Sequence, residues 1–195
     1  MKYVYVSMVT LLLLVACAGE NVKSLQLQED GRNQYVIGDF DKAISYYSEA
    51  IALEPKNPSP YTSRAHSYAK QGKYEEAIKD LETSIEIDSK YARAYNGLAV
   101  IYATCRIDKY RNGPKALELA LKAVDIDPNA WTYDTLAYAY AENGDFENAV
   151  KYQMISNDML AALGRDEELE IHKMHLDRFM KKMPWRDDIA QCPRD

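Results

Sequence analysis

Cysteine, phenylalanine and histidine are scarce in this chain of 195 residues, and the scarcity excludes several kinds of protein. Three Cys are too few for a disulfide framework, and their spacing does not fit a zinc site. Only three Phe stand against 16 Tyr. Because tyrosine tolerates half-buried positions, with its ring packed and its hydroxyl group solvated, this balance favours an extended fold with much surface over a compact globule.

Basic residues are also in the minority, since 24 Lys and Arg stand against 30 Asp and Glu and leave a formal charge of −6. That charge argues against nucleic acid as the main partner. Hydrophobic residues make up 47% of the chain, which is enough for a core and excludes wholesale disorder. No Ser or Cys lies in a recognisable nucleophile setting, and no Gly-rich phosphate loop follows a strand. We therefore expect a protein that is not an enzyme, with no cofactor and no small-molecule substrate.

A charge-free apolar run, residues 4–16, follows the single lysine near the N-terminus. It is shorter than the roughly 20 residues that a membrane-spanning helix needs, and it matches the hydrophobic segment of a secretory signal peptide. The run ends in Leu14-Val15-Ala16-Cys17, which resembles the lipobox of bacterial lipoproteins. The resemblance implies a lipoprotein signal peptide at residues 1–16 and a lipidated tether at residues 17–23.

In that family the cysteine, here Cys17, receives a diacylglyceryl group on its thiol, and its new amino group receives an acyl chain such as palmitate. Several acyl chains anchor an exported protein to a membrane without a spanning helix. Ala18 rather than Asp follows the cysteine, and by resemblance to enterobacterial lipoproteins this favours the periplasmic face of the outer membrane if the host is Gram-negative. An ordinary signal peptide followed by a chance cysteine is the alternative.

A seven-residue pattern recurs along the rest of the chain. The segment Gly38–Ile44 returns 34 residues later as Gly72–Ile78, and a third copy occupies Gly144–Val150. Small residues recur at two further fixed positions, such as Ala65 and Ala77, where they allow two helix axes to approach to about 8–10 Å. The pattern resembles the tetratricopeptide repeat (TPR), in which each unit is a pair of antiparallel helices.

This resemblance implies an all-α fold, a right-handed superhelical α-solenoid of TPR helix hairpins with a C-terminal capping helix. We place the units at 24–57, 58–91, 92–129 and 130–163, the capping helix at 166–183 and a tail at 184–195. The third unit carries an insertion between its helices, within residues 105–114. The first unit is divergent, since Asp30 and Gln34 occupy positions that are normally apolar, and we expect its first helix to be frayed or shifted by one residue.

The inner face of a TPR array is the usual binding surface of the family. The resemblance therefore assigns partner binding to seven residues of the first helices: His66, Lys70, Arg93, Asn96, Trp131, Asp134 and Tyr138. Trp131 and Tyr138 are the expected anchors, because large rings bury much apolar area at low rotamer cost. Two alternatives remain open, namely that His66 is a solvated helix residue and that Trp131 packs over the last turn of the third unit.

One specific ligand of the family is disfavoured, the carboxylate-terminated tail of a chaperone. The positions that clamp such a tail hold Gln28, Arg32, Ser63, Arg93 and Gly97 in this chain. Only Arg93 has a side chain compatible with that role.

The last predicted helix carries one apolar stripe, whose members alternate at three- and four-residue spacing: Leu169, His172, Leu176, Phe179 and Met183. The stripe assigns His172 to the packed side and His175 to a flank. Although two histidines three residues apart, with Glu168 and Asp177 nearby, are conceivable ligands, we expect no metal site.

Cys105 and Cys192 remain as thiols once the first cysteine is acylated, and in an exported protein such a pair favours a disulfide. The tail before Cys192 can span about 30 Å, which is enough to reach Cys105. Two separate thiols are the alternative. A basic cluster on the insertion, Lys109, Arg111 and Lys115, either contacts anionic headgroups or an acidic partner or is a solvated loop.

The sequence as a whole predicts a membrane-anchored interaction scaffold of the bacterial cell envelope. Its partner is expected to be another envelope protein, or a peptide or helix of one, bound in the groove of the inner face. Two rival interpretations are a metal-binding or enzymatic envelope protein that uses the His172/His175 region, and a structural spacer without a groove ligand.

Overall fold

The computed structural model describes residues 8–186, with side chains from residue 21 onward. Within that range every regular element is helical, which confirms the predicted all-α class. The α-helices are α1 (Met8–Val36), α2 (Phe40–Leu53), α3 (Pro58–Lys70), α4 (Tyr74–Ile87), α5 (Ala92–Thr104), α6 (Gly113–Ile126), α7 (Ala130–Glu142), α8 (Phe146–Ala162) and α9 (Asp166–Met180). A short 3-10 turn, Asp108–Tyr110, lies between α5 and α6.

The helices stack in series, since each packs against the next one along the chain, from α1 through α9. The first helices of the units also contact one another, α1 with α3, α3 with α5 and α5 with α7. Four hairpins therefore form one layered array, and α9 packs against α8 at its end. We call the surface formed by α1, α3, α5 and α7 the inner face.

Small residues occupy the helix contacts within the hairpins, as the sequence predicts. Six alanines at the two contact positions of units two to four are completely buried: Ala65, Ala77, Ala99, Ala116, Ala137 and Ala149. In the first unit Gly31 takes the same place on α1, where an added Cβ would lie 2.7 Å from the Tyr47 ring. The first unit therefore keeps the repeat register, and α1 runs without interruption to Val36, so the expected fraying or shift is not found.

Glycine ends the first helix in three of the units. Gly38, Gly72 and Gly144 have φ angles of 85°, 74° and 79°, in the left-handed region that side chains with a Cβ rarely adopt. The sequence predicts all three turns. Gly164, between α8 and α9, has a φ angle of 66° and forms a fourth turn of this kind.

The insertion of the third unit lies where the sequence places it, between Thr104 and Gly113. Asn112 fixes its end, because the Asn112 backbone N–H donates to the Tyr102 carbonyl (2.9 Å) and its side chain accepts from the Lys115 backbone N–H (3.1 Å). The insertion thus leads directly into the N-terminus of α6.

The capping helix begins at the predicted residue but ends at Met180, three residues before the predicted boundary at residue 183. Lys182 adopts a left-handed φ of 55°, and its N–H donates to the Phe179 carbonyl (2.9 Å), which closes the helix. The prediction that Met183 belongs to the packed stripe is wrong, since its side chain is 39% exposed.

Candidate functional site

Three successive first helices bring four of the seven predicted partner-binding residues around one hollow of the inner face. His66 lies on α3, Arg93 and Asn96 lie on α5, and Trp131 lies on α7. Lys70 lines the adjoining hollow between α3 and α5 together with His66 and Asn96. Five predicted residues therefore share one continuous part of the inner face, which we call the central groove.

The floor of the central groove is tight because residue 97 is glycine. A Cβ at Gly97 would lie 2.8 Å from Leu81 Cδ2 and 3.3 Å from His66 Nε2. Any larger residue would force the side chains of Leu81, on α4, and His66 to move. Gly97 therefore leaves room for the imidazole of His66 close to the backbone of α5.

Burial lowers the pKa of His66 to about 4, and the positive charges of Arg93 and Lys70 act in the same direction. Around neutral pH the imidazole is therefore uncharged, so it meets a partner as a hydrogen-bonding group. The formal positive charge of the central groove comes from Arg93 and Lys70.

This lowered pKa predicts a loss of stability in mild acid. The unfolded chain takes up a proton on His66 near pH 6.5, whereas the folded chain resists it down to about pH 4, so stability falls as the pH drops between these values. Between about pH 7.5 and about pH 5, we expect the wild-type protein to lose about 2 kcal/mol more unfolding free energy than His66→Gln, which cannot titrate. Urea titrations at both pH values measure the difference, and equal losses in the two proteins would contradict the assignment.

One buried acceptor in the central groove lacks a partner. Asn96 Oδ1 is buried, yet no group among residues 21–186 forms a hydrogen bond with it. A buried amide oxygen without a donor costs about 1–3 kcal/mol. The Asn96 side chain lines the hollow, so a donor brought by a bound partner would remove that cost once the amide turns toward it.

A second hollow continues the groove toward the N-terminal units. It is lined by polar and charged side chains of four helices, including Gln28, Glu29, Arg32, Tyr47, Ser59, Ser63 and Arg93. Glu29 accepts hydrogen bonds from Arg32 Nε at 3.1 Å and from Arg32 Nη2 at 2.6 Å. Sequence reasoning missed Tyr47 because it considered only the first helix of each unit, whereas Tyr47 lies on α2.

Two of the seven predicted groove residues, Asp134 and Tyr138, are not available as exposed contacts. Their side chains line a neighbouring hollow of the inner face, but only 6% of Asp134 and 9% of Tyr138 is exposed. The prediction that Tyr138 anchors a partner on the open surface is therefore wrong, because residues of α9 and the segment after it cover this end of the inner face.

Asp134 instead joins a buried polar cluster with the two histidines of α9. His175 Nδ1 lies 2.9 Å and His172 Nδ1 lies 3.4 Å from Asp134 Oδ1. Gln153 Nε2 donates to the same oxygen at 2.8 Å, and Tyr138 Oη lies 3.0 Å from His175 Nδ1. His172 lies on the packed side as predicted, but His175 is only 3% exposed, so its assignment to a flank is wrong.

The cluster sets the charge of its members. Burial works to raise the pKa of Asp134, yet the pKa is lowered, because the hydrogen bond to His175 and the attraction of both imidazoles outweigh burial. Burial lowers the pKa of His172. The nearby His175 lowers it further, while the carboxylate of Asp134 acts to raise it.

The segment after α9 turns back across the end of the inner face. The Trp185 ring centroid lies 4.3 Å from that of His175. Arg186 Nη1 pairs with Glu142 Oε2 at 2.7 Å, and it also lies 3.5 Å from the Ala103 carbonyl of α5. The chain itself therefore closes the C-terminal end of the inner face.

Trp131 remains accessible at the edge of this closed end. It is 44% exposed, and the Arg165 guanidinium lies 5.5 Å from its ring centroid. Exposure together with a place in the central groove fits the predicted anchoring role.

The three basic side chains that the sequence places on the insertion have protein partners, although Lys115 lies in α6. Lys109 pairs with Glu75 at 3.1 Å, and Arg111 pairs with Glu142 at 3.2 Å. Lys115 Nζ donates to Tyr102 Oη at 3.1 Å. The first two contacts join the insertion to α4 and α7, and the third joins α6 to α5.

The predicted lipidation and disulfide sites fall largely outside the described side chains. Cys105 is buried at the end of α5, whereas Cys192 lies outside the described residues, and so does the side chain of Cys17. The backbone of residues 17–23, the predicted tether, belongs to α1. No helix in the described part of the chain combines the length and the apolar character that crossing a membrane requires.

Comparisons with known proteins identify the repeat. A family model described as "TPR repeat" matches residues 31–72 and 65–104, and one described as "Tetratricopeptide repeat" matches residues 132–154. The small glutamine-rich tetratricopeptide repeat-containing protein 2 of Saccharomyces cerevisiae is 29% identical over 155 residues, which cover 75% of this chain and 43% of the yeast protein. The TPR repeat-containing thioredoxin TTL4 of Arabidopsis thaliana is 35% identical over 85 residues, 44% of this chain and 12% of that protein. The chain spans less than half the length of either relative.

Solved structures show the same fold. The first TPR of Spaghetti (RPAP3), bound to the HSP90 peptide SRMEEVD, has a TM-score of 0.52 and 25% identity, and the match covers 60% of this chain and 90% of that one. PilF of Pseudomonas aeruginosa has a TM-score of 0.62 over 83% of this chain and 78% of its own, at 13% identity, and supports the fold alone. The matched repeats and the serial helix hairpins together show that this chain contains tetratricopeptide repeats.

Proposed function

We propose that this chain is an interaction scaffold of the bacterial cell envelope, which binds an extended peptide segment of a partner protein in its central groove. The single observation that carries the groove-binding part of the proposal is Asn96 Oδ1, a buried acceptor without a hydrogen-bond partner among the described side chains. It lies among His66, Arg93 and Trp131. An extended peptide offers backbone N–H donors at regular spacing, so it fits this acceptor better than a fully hydrogen-bonded helix does.

The charges of the groove favour an acidic side chain in that peptide. Arg32 and Arg93 line the same N-terminal hollow, and Arg32 is offset by its ion pair with Glu29. Arg93 is exposed, and the salt bridges of residues 21–186 do not include it. A carboxylate beside Arg93 would therefore gain a charge-assisted hydrogen bond.

The closed C-terminal end sets the limits of the binding surface. Trp185 and Arg186 occupy the inner face at the fourth unit, so the partner is expected to lie across units one to three, with Trp131 at its boundary. Ring burial at Trp131 would supply the main apolar contribution.

A pair of matched charge reversals tests the groove. Arg32→Glu/Arg93→Glu changes two residues that line the hollow, whereas Lys79→Glu/Lys122→Glu makes the same change in charge on exposed residues of α4 and α6. After a partner has been captured from detergent-solubilised envelopes with the wild-type protein, we expect the first variant to bind it at least about 10-fold more weakly. The second variant should bind it normally. Equal binding by both variants would contradict the groove and favour a spacer.

We also propose that Cys17 carries the lipid that anchors the chain to the membrane. This rests on the lipobox residues Leu14 to Cys17 and the apolar run before them. In a Gram-negative bacterium that expresses the full chain with labelled palmitate, we expect label and outer-membrane fractionation for the wild type and for Ala18→Ser. Cys17→Ser should lose both. A labelled Cys17→Ser protein, or an unlabelled wild type, would refute the anchor.

A further inference from the structure

The buried cluster at the end of the array contains three side chains of metal-binding type. Asp134 comes from α7, and His172 and His175 come from successive turns of α9. Each offers one ligand atom, and the three atoms lie within 4.8 Å of one another. All three residues are at least nine-tenths buried, so the grouping belongs to the interior and is not an acidic surface patch.

The spacing of the cluster fits a small coordination sphere. A tetrahedral zinc ion with bonds of about 2.0–2.1 Å separates its ligand atoms by about 3.3 Å. In the structure His172 Nδ1 and His175 Nδ1 lie 3.4 and 2.9 Å from Asp134 Oδ1. Shifts of a few tenths of an ångström would bring both of these distances to the separation expected between two ligand atoms of zinc.

The surroundings supply the supporting contacts that metal sites use. Gln153 donates to Asp134 Oδ1 at 2.8 Å, which orients the carboxylate. Gln153 is completely buried, and its Oε1 has no hydrogen-bond partner within the described range. A water molecule on a metal ion would be a donor for that orphaned oxygen, which is an observation independent of the three ligands.

We propose that Asp134, His172 and His175 bind one divalent transition-metal ion, with zinc as the best fit, and that the ion fastens α9 to the fourth unit. Two imidazole nitrogens and one carboxylate oxygen form a ligand set that suits Zn²⁺ or Co²⁺ and does not suit Mg²⁺ or Ca²⁺, which prefer oxygen ligands alone. A water molecule completes the four-coordinate sphere. The three ligands are buried, and the Trp185 ring packs on His175, so the ion would act on the packing of α9.

The competing outcome is a cluster that is held together by hydrogen bonds alone, without a metal ion. In that arrangement a ring N–H of His175 donates to Asp134, and a ring N–H of His172 donates to Ser156 Oγ, which lies 2.7 Å away. Such a cluster needs no metal and would show no specific metal affinity.

Cobalt and zinc titrations of the full chain in detergent separate the two outcomes. After treatment with a chelator and dialysis, we expect one equivalent of Co²⁺ to produce the visible absorption bands of a four-coordinate site, and Zn²⁺ to displace it. Zn²⁺ should also raise the melting temperature. Failure of the wild-type protein to bind either ion would overturn the proposal.

Three variants localise the site. His172→Gln and His175→Gln are each expected to weaken Co²⁺ binding by about 100-fold or more, whereas His66→Gln, which removes the remaining histidine of the chain, should leave it unchanged. Unaltered affinity in His172→Gln or His175→Gln would refute the assignment. Because such variants can also fail to fold, X-ray absorption of the zinc-loaded wild-type protein provides a second readout. It should show two imidazole ligands, and fewer than two would contradict the proposal.

Discussion

Phe179→Ala is expected to lower the unfolding free energy by about 3–5 kcal/mol, because it removes a completely buried aromatic ring from the contact between α9 and the fourth unit. The Phe179 ring packs against Tyr138, with centroids 6.2 Å apart. Each unit of a stacked array contacts only its neighbours, so most of the loss should appear as local opening of α9. Urea unfolding measures the total, and hydrogen exchange shows where it falls.

Met180→Ala is the matched control, because Met180 follows Phe179 on the same helix and its side chain is 68% exposed. We expect its effect to stay within about 0.5 kcal/mol. If both substitutions reduce stability equally, α9 does not pack on the array through the face that contains Phe179.

Ala77→Leu is expected to lower the unfolding free energy by about 1–3 kcal/mol or more, because a larger side chain forces α3 and α4 apart where the two helices touch. Ala77 and Ala65 are both completely buried where the two helices meet. Thermal and urea unfolding measure the change.

Ala52→Leu provides the control for added volume, since Ala52 is an exposed residue of α2. It should change stability by no more than about 0.5 kcal/mol. An Ala77→Leu protein as stable as Ala52→Leu would show that the assigned register of the repeat is wrong.

The local features of the fold follow from the sequence because they depend on residues close along the chain. Turn glycines such as Gly72 and small contact residues such as Ala77 recur at a fixed period, and each has one physical reason to be small. The insertion before α6 also carries its own signal, Asn-Gly-Pro at residues 112–114. The repeat pattern therefore predicts the hairpins and the central groove around His66 and Arg93.

The closed end of the inner face does not follow from the sequence, because it depends on contacts between distant segments. The apolar stripe on α9 predicts one packed face for this helix. In the structure α9 packs against α8 and also contacts α7 through His175 and Asp134. Nothing periodic indicates that Trp185 and Arg186 return to the inner face. The sequence therefore predicts Tyr138 as an exposed anchor, although α9 and the segment after it cover this residue.

Site-specific photo-crosslinking tests the central claim, that a partner binds across the inner face of the first three units. A photoreactive amino acid replaces Ser59 or Ser63, which line the N-terminal hollow, or Glu86, which is exposed on α4. After irradiation of intact cells, we predict the same crosslinked partner at Ser59 and Ser63 and none at Glu86. Crosslinks to that partner from Glu86, with none from Ser59 and Ser63, would contradict the account.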